Sequence, residues 1–307
     1  MNLKIFISIL LYLLFILLNK LILKKDVKVA LCSIAKNENL YIREFIEHYK
    51  KIGYNKIFIY DNNEKNGENL GDVINDYINS GYVNLIDFKE IDPNKRPQIE
   101  AYIDCYSRNN KSFNWISFFD IDELLEINKK YRTIQDFLKD NIFEFCKNIK
   151  INWLEFSNEN KLYYENKPLQ ERFKIFNYEH ISNKHIKSTV KGNLPVNYWK
   201  SAPTPHSSNL NIISCSSSGK KISFDSPFNY PPDYTNAKLK HYSYKSFEEI
   251  CWKLKKGKAD SPKIKNDIII KNDFKRLYIE NKHNIEKLKI LYKIFNVSLA
   301  QNNQTFF

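Results

Sequence analysis

Apolar and polar positions change their rhythm several times along the chain. From Leu3 to Leu23 the run LKIFISILLYLLFILLNKLIL is almost unbroken, about the length that crosses a hydrocarbon core of roughly 30 Å at 1.5 Å per residue. Lys4, Asn19 and Lys20 interrupt only its ends, where a lysine stem reaches the interface. No small-x-small cleavage site follows, so residues 1–25 read as an uncleaved signal anchor, a single transmembrane helix. A buried N-terminal helix is the alternative, disfavoured because no polar face interrupts Ile5 to Leu18. Lys20, Lys24, Lys25 and Lys28 follow the span, whereas only Lys4 and the amino terminus precede it. By the positive-inside rule alone, the bulk of the chain would lie in the cytoplasm.

Beyond the anchor, two periods alternate. Strand-like runs are predicted at Val27–Ile34, Lys56–Tyr60, Val83–Phe88 and Trp115–Phe119, and helix-like stretches between them at Asn39–Ile52, Leu70–Asn79 and Gln98–Asn109. The order βαβαβαβ predicts an α/β fold with a mainly parallel sheet flanked by helices and ligand sites at the carboxyl ends of its strands. Those ends carry Lys36, Asn37 and Glu38, then Asp61, Asn62 and Asn63, then Asp120. From Ile149 to His241 the pattern loosens. Strand-like Ile149–Phe156, Arg172–Asn177 and His185–Val190 lead into a Pro/Ser-rich stretch, Ser201–Pro232, of the kind that often carries function. After Tyr242 the chain turns helical and Lys-rich, with Phe247, Ile250, Cys251 and Leu254 forming a stripe best read as core. Domain boundaries are set at 26–262 for the main domain and 263–307 for a helical extension.

Composition excludes disorder as the main state, because 43% apolar and 15% aromatic residues with only 7 glycines bury enough surface to offset chain entropy. The net charge of +13 is almost all lysine; the arginines are Arg43, Arg96, Arg108, Arg132, Arg172 and Arg276. Lysine spread along the whole chain is a compositional bias rather than a nucleic-acid footprint, which would favour clustered arginine. Cys32, Cys105, Cys146, Cys215 and Cys251 form no CxxC pair and suggest neither a zinc site nor a disulfide framework.

The most informative local feature is Trp115-Ile-Ser-Phe-Phe-Asp120-Ile-Asp122-Glu123. An apolar strand ending in Asp-x-Asp would place both carboxylates on one side, where they repel unless a cation lies between them. Carboxylate oxygens suit Mg²⁺ or Mn²⁺, which bridge diphosphate oxygens; a solvated turn or helix cap is the plainer alternative. His48, in an amphipathic helix, reads as structural, and His206 lies in the Pro/Ser-rich stretch. His241 precedes Lys245 by four residues; an imidazole can complete a metal site that two carboxylates begin, while a lysine meets the attached phosphate.

At this point the chain resembles glycosyltransferase family 92, within the glycosyltransferase 2-like group. The resemblance is carried by Ala30–Glu38, Glu44–Gly53, Ile59–Asn62 and Trp115–Glu123, and by the distant block Lys240-His241-Tyr-Ser-Tyr-Lys245-Ser246 with Lys253, Lys256-Gly257 and Ala259-Asp260. Trp153–Phe156, Glu171–Phe173 and Lys187–Lys191 fall between in family order. The chain departs from the family at Ser157-Asn158 and at Lys256, positions that bear on acceptor contacts. The resemblance implies a GT-A fold, a nucleotide-sugar donor, often UDP-galactose, a glycan or glycoconjugate acceptor, a divalent ion (Mn²⁺ or Mg²⁺) on the Asp-x-Asp, and inversion. It also implies a membrane anchor with a luminal, Golgi-type catalytic domain in eukaryotic members; bacterial relatives can face the cytoplasm. Asp120, Asp122 and His241 are then the metal candidates. Lys36, Asn37, Glu38, Asp61, Asn62, Asn63 and Asp120 are the nucleotide-sugar candidates, Lys245 is the leaving-group stabiliser, and Glu155 and Glu171 are candidates for the base. The rival is a non-catalytic membrane-tethered binding protein of the same fold, against which the retained Asp120, Asp122, His241 and Lys245 speak.

Overall fold

A computed structural model describes residues 26–89, 92, 94–195, 212–223, 226–257 and 263–296. The expected anchor, His206, residues 201–211 and 224–225 of the Ser201–Pro232 stretch and the Ala259-Asp260 pair lie outside the described residues. Among the described residues no helix is long and apolar enough to cross a membrane.

The first half follows the predicted alternation: β1 (Val29–Ala35), α1 (Ile42–Lys51), β2 (Lys56–Asp61), α2 (Leu70–Asn79), β3 (Val83–Asp87), α3 (Pro97–Asn109) and β4 (Trp115–Phe118). Strand β1 is buried at every position because helices cover both faces, so VALCSIA shows no alternation. Ile42, Phe45, Ile46 and Tyr49 of α1 recur at helical spacing and enter the larger core, while Ala101, Tyr102, Cys105 and Tyr106 of α3 pack on the opposite face. Pro97 opens α3, where its missing N–H costs nothing.

Then come β5 (Glu123–Ile127), α4 (Ile134–Leu138), β6 (Asn148–Glu155), α5 (Leu169–Arg172), β7 (Ile186–Lys191), β8 (Ser214–Cys215), β9 (Lys221–Ile222), β10 (Ala237–His241), α6 (Phe247–Lys256), α7 (Lys263–Asn281) and α8 (Ile285–Phe295). The strand order is β3-β2-β1-β4-β7-β6-β10-β5, with β8 and β9 branching from β6. The expectation of a mainly parallel sheet needs correction. Strands β3, β2, β1 and β4 are mutually parallel, but β7 is antiparallel to both neighbours and β5 is antiparallel to β10, so the sheet is mixed. The reading missed β5 and β10 because both are short and half polar: Lys238 and Lys240 of β10 pair with Glu126 of β5. Arg172–Asn177 is not a strand. It holds the end of α5 and one isolated bridge from Phe176 to Phe156, because Arg172 turns inward to a buried partner.

The C-terminal stripe is core as expected: Phe247 and Cys251 pack with Phe274, Leu277 and Ile290 of α7 and α8. A disulfide joins Cys146 to Cys215, 69 residues apart, contrary to the expectation from spacing; it ties β8 to the segment before β6, and partners so distant leave no local signature.

His48 is structural. Its Nε2 donates to the Leu125 carbonyl at 2.8 Å, and burial, helped by Lys240 and Lys51, pushes its pKa down to about 4. The folded state thus prefers the neutral ring. Its contribution is fully present above the unfolded value near 6.5 and is lost as pH falls toward 4, on the order of 3 kcal/mol in all. Urea midpoints should therefore fall across that window, and His48→Gln, which keeps a donor without a titration, should flatten the fall; equal slopes in the two proteins would contradict this.

Candidate active site

The ends of β1 and β2 form one wall. Asn37 adopts a left-handed conformation (φ 52°), and its N–H donates to Asn63 Oδ1 at 2.7 Å, while the Asn63 N–H donates to Asp61 Oδ1 at 3.0 Å. Asp61 also pairs with Lys89 at 3.3 Å. Asn63 is fully buried, and its Nδ2 finds no hydrogen-bond partner among the described residues. Asp61 and Asn63 thus shape the loop from behind. Lys36, Asn37 and Glu38 face forward onto a cavity of about 650 Å³, which Asp61, Asn62 and Asn63 do not line.

Helix α6 closes the cavity opposite, contributing Trp252, Lys253 and Lys256, with Lys245 just before it. Lys256 donates to the Lys36 carbonyl at 2.9 Å and to Glu38, so the helix is pinned across the strand ends. Its start is fixed by a capping box between Ser246 and Glu249. Glu249 also receives both Arg172 guanidinium nitrogens, at 2.8 and 2.9 Å, and the Tyr41 hydroxyl at 2.7 Å, all buried. The Lys245 ammonium stands 4.7 Å over the Tyr41 ring.

At the edge of the cavity lies a cluster of charges. Strand β4 stops at Phe118, so Asp120 and Asp122 occupy a turn between β4 and β5, and strand alternation does not set their directions. Asp120 Oδ1 accepts from Gln98 Nε2 (2.8 Å) and the Tyr102 hydroxyl (3.1 Å), and Oδ2 from Lys187 (2.7 Å). Asp122 Oδ2 instead faces Lys253 (2.8 Å) and Lys245 (3.4 Å). Burial by itself would raise the Asp122 pKa, but Lys253, Lys245 and His241 hold it well below the carboxylate range. Glu123, buried beside Lys187 at 3.5 Å, goes the other way: desolvation outweighs Lys187, the Asp120 charge adds to it, and its pKa rises to about 8.

His241, at the end of β10, is hydrogen-bonded through Nδ1 to Glu155 Oε2 at 2.9 Å, and the Ser243 hydroxyl caps Glu155 Oε1. Burial opposes the imidazolium, yet Glu155, Asp122 and Glu123 together raise the His241 pKa, and His241 and Ser243 in turn keep Glu155 ionised despite its burial. The Trp153 ring lies 4.0 Å from the imidazole, fixing its plane. Glu171 is not brought here; it is exposed on α5 and makes none of the cluster's contacts.

Asp122 Oδ1 and His241 Nε2 face each other at 3.8 Å, beyond hydrogen-bonding distance, and an oxygen with an imidazole nitrogen fits a hard divalent ion. Asp120 directs its oxygens elsewhere, and among the described residues no three His, Cys, Asp or Glu side chains are grouped to enclose an ion.

Sequence reasoning did not single out Gln98, Tyr102 and Ser243 at all, and placed Lys187, Lys253 and Lys256 only within family blocks. Lys187 carried a signal: a lysine inside a strand whose other positions are buried requires an acidic partner.

A mixed α/β sheet whose strand ends meet a cation-rich cavity defines the class, and the comparisons define the family. The family model described as Glycosyltransferase family 92 matches residues 25–283, and the chain belongs to that family. A family 92 protein of Oryza sativa subsp. japonica is 31% identical over 116 residues, covering 38% of this chain and 19% of that protein. One of Ricinus communis is 26% identical over 109 residues, covering 34% and 18%. The matched stretches thus span about a fifth of these relatives' own length. Among solved structures, S. aureus TarS 1–349 in complex with UDP shares 12% identity at a TM-score of 0.37, over 90% of this chain and 77% of that one. The mannosyltransferase PcManGT of Pyrobaculum calidifontis, in complex with GDP-Man and Mn²⁺, gives 12% and 0.37 over 94% and 83%.

Because Arg172 and Glu249 are both desolvated, Glu249→Ala leaves a buried guanidinium unpaired and should lower stability by about 3–5 kcal/mol in urea unfolding. A loss below about 1 kcal/mol would show that the pair does not hold α6.

Proposed function

We propose that this chain is a membrane-anchored glycosyltransferase that moves a sugar, galactose or a similar hexose, from a UDP-sugar or related donor to a hydroxyl of a glycan or glycoconjugate acceptor, with inversion. The reading rests on family membership, and above all on the convergence of Lys245, Lys253 and His241 on Asp122 at the edge of the Lys36–Glu38 cavity.

The nucleoside lies between Lys36–Glu38 and α6, with its diphosphate at the lysine-lined edge. Lys253 and Lys245, now paired with Asp122, turn to the phosphate oxygens as point charges. Lys245 is the leaving-group stabiliser: a buried ammonium counters charge that develops as the nucleoside diphosphate departs. Asp122 and His241, with Asp120 nearby, would hold Mn²⁺ or Mg²⁺, which would supply further neutralisation of the diphosphate charge. Asp120 itself, held by Gln98, Tyr102 and Lys187, fixes the turn that presents Asp122. Of the two base candidates, Glu155 adjoins the cluster, stays ionised, and takes the proton of the acceptor hydroxyl; Glu171 has no such placement. Residues 3–23 hold the protein in a membrane as a single pass, facing a Golgi-type lumen in a eukaryotic cell or the cytoplasm in a bacterial one.

Hydrolysis of UDP-sugars by the purified protein tests this reading. Turnover should rise with added Mn²⁺, and Asp122→Asn, which removes charge at nearly constant shape, should lose at least a hundredfold per folded molecule, as expected for several kcal/mol of lost charge stabilisation. Near-normal turnover in the variant at saturating donor would overturn the metal assignment, and the absence of any hydrolysis in the wild type would favour the binding-protein alternative.

A further inference from the structure

A second cavity, of about 570 Å³, opens between β8–β9 and the segment before β10. It lies within the size range of small-molecule sites. Its lining mixes rings and polar groups with Lys220, Ile222 and two prolines. Phe228, Tyr230 and Tyr234 supply rings, and Asn229, Asp233 and Ser218 supply hydrogen-bonding groups. Two of the rings are displayed rather than packed away: Tyr230 is 83% exposed and Phe228 40%. Rings exposed at the rim of a cavity offer apolar faces on which a ligand can stack.

A file of packed rings joins the wall of this cavity to the catalytic cluster. His241 lies 4.0 Å from Trp153, Trp153 is stacked on His185 at 4.8 Å, and His185 meets Phe228 edge-on at 4.8 Å. A second link runs along the backbone, since the Tyr234 hydroxyl donates to the Trp153 carbonyl at 2.6 Å. Tyr178, itself 55% exposed, adjoins Tyr234 at 5.8 Å and widens the aromatic rim. The first cavity carries five lysines and suits an anion; this one has a single lysine, Lys220, beside Asp233, and its aromatic faces, hydroxyls and amide suit a ring bearing hydroxyls.

We propose that this second cavity is the acceptor subsite, that it binds a neutral pyranose unit of the acceptor glycan by stacking on Tyr230 and Phe228, and that Asn229, Asp233 and Ser218 read its hydroxyls. The inference rests on the glycosyltransferase reading and adds to it the chemistry of the acceptor: a saccharide with an apolar face, rather than a peptide side chain or a phosphorylated polyol. The ring file places that saccharide on the Glu155–His241 side of the cluster, opposite the lysine-lined donor cavity. Tyr234 and Asp233 also brace the fold, by bonds to Trp153 and to the Ser218 N–H, so the displayed rings are the ones that separate binding from folding.

The experiment uses the full chain in detergent and has two arms. In the first, binding to an array of immobilised oligosaccharides is measured for the wild type, Tyr230→Ala, Phe228→Ala and Tyr230→Trp. The wild type should bind at least one class of neutral glycan, both alanine variants should lose at least tenfold of that signal, and Tyr230→Trp should retain it. In the second, hydrolysis of UDP-sugar by water should stay within twofold of wild type in all variants. Wild-type failure to bind any glycan, unchanged binding in the alanine variants, or a parallel loss of binding, hydrolysis and melting temperature would each overturn the subsite. If glycan binding behaves as expected but the wild type hydrolyses no nucleotide sugar, the subsite stands and the glycosyltransferase reading fails.

Discussion

Gathering four carboxylates, three of them buried, is the constraint on which the rest of the molecule depends. Asp122, Glu123 and Glu155 are buried and Asp120 is half-buried beside them, where β4 and β6 end and β5 begins, and each would repel the others at short range in a medium poorer than water. The chain answers with cations from elements that are remote in sequence: Lys187 from β7, His241 from β10, and Lys245 and Lys253 from the start and body of α6. Compensation is uneven. Asp122 is held far down, whereas Glu123 is pushed up to about 8, because its burial outweighs Lys187, which it shares with Asp120. The uneven result is chemically useful, since it leaves one strongly anionic carboxylate facing an imidazole and two lysines at the mouth of a cavity.

Placement of α6 follows from the same electrostatics at a second point. Glu249 serves at once as the helix cap, the partner of Arg172 and the acceptor of the Tyr41 hydroxyl, so a single carboxylate fixes the start of the helix against α5 and the loop before α1. From that fixed start, Lys253 and Lys256 lie three residues apart and so on neighbouring positions of one face; one reaches Asp122 and the other Glu38. On the other side of the cluster a file of rings runs from Trp153 through His185 to Phe228, with Lys187 over its first ring and Lys184 over its last.

What the sequence disclosed follows the range over which each signal acts. Strands β1 to β4 and helices α1 to α3 were legible because apolar periodicity is local: Leu70–Asn79 matches α2 end for end, and the other six elements differ by a few residues at one or both ends. Strands β5 and β10 were not, since Glu123–Ile127 pairs with Ala237–His241 across more than a hundred residues, and Ala237–His241 also with the distant β6. Site residues divide in the same way. Lys36 to Glu38 could be placed at a strand end, and Lys245 and His241 came from the family block. The direction of Asp120 away from Asp122 could not be read, because it depends on Gln98, Tyr102 and Lys187, whose side chains reach it from α3 and β7. Asp61 and Asn63 were legible as polar strand ends but serve the loop behind the cavity rather than its surface.

Calorimetric titration of UDP into wild-type protein and into Lys253→Ala, with Mn²⁺ held at a fixed saturating concentration, tests most directly whether the charge cluster is built to receive a diphosphate. The account requires measurable UDP binding by the wild type and a loss of at least tenfold in affinity in the variant, about 1.4 kcal/mol, because a cation that now compensates Asp122 would be missing from the diphosphate. Equal affinity in the two proteins, with melting temperatures unchanged, would mean that Lys253 serves only to neutralise Asp122 and that the diphosphate, if bound, is held elsewhere.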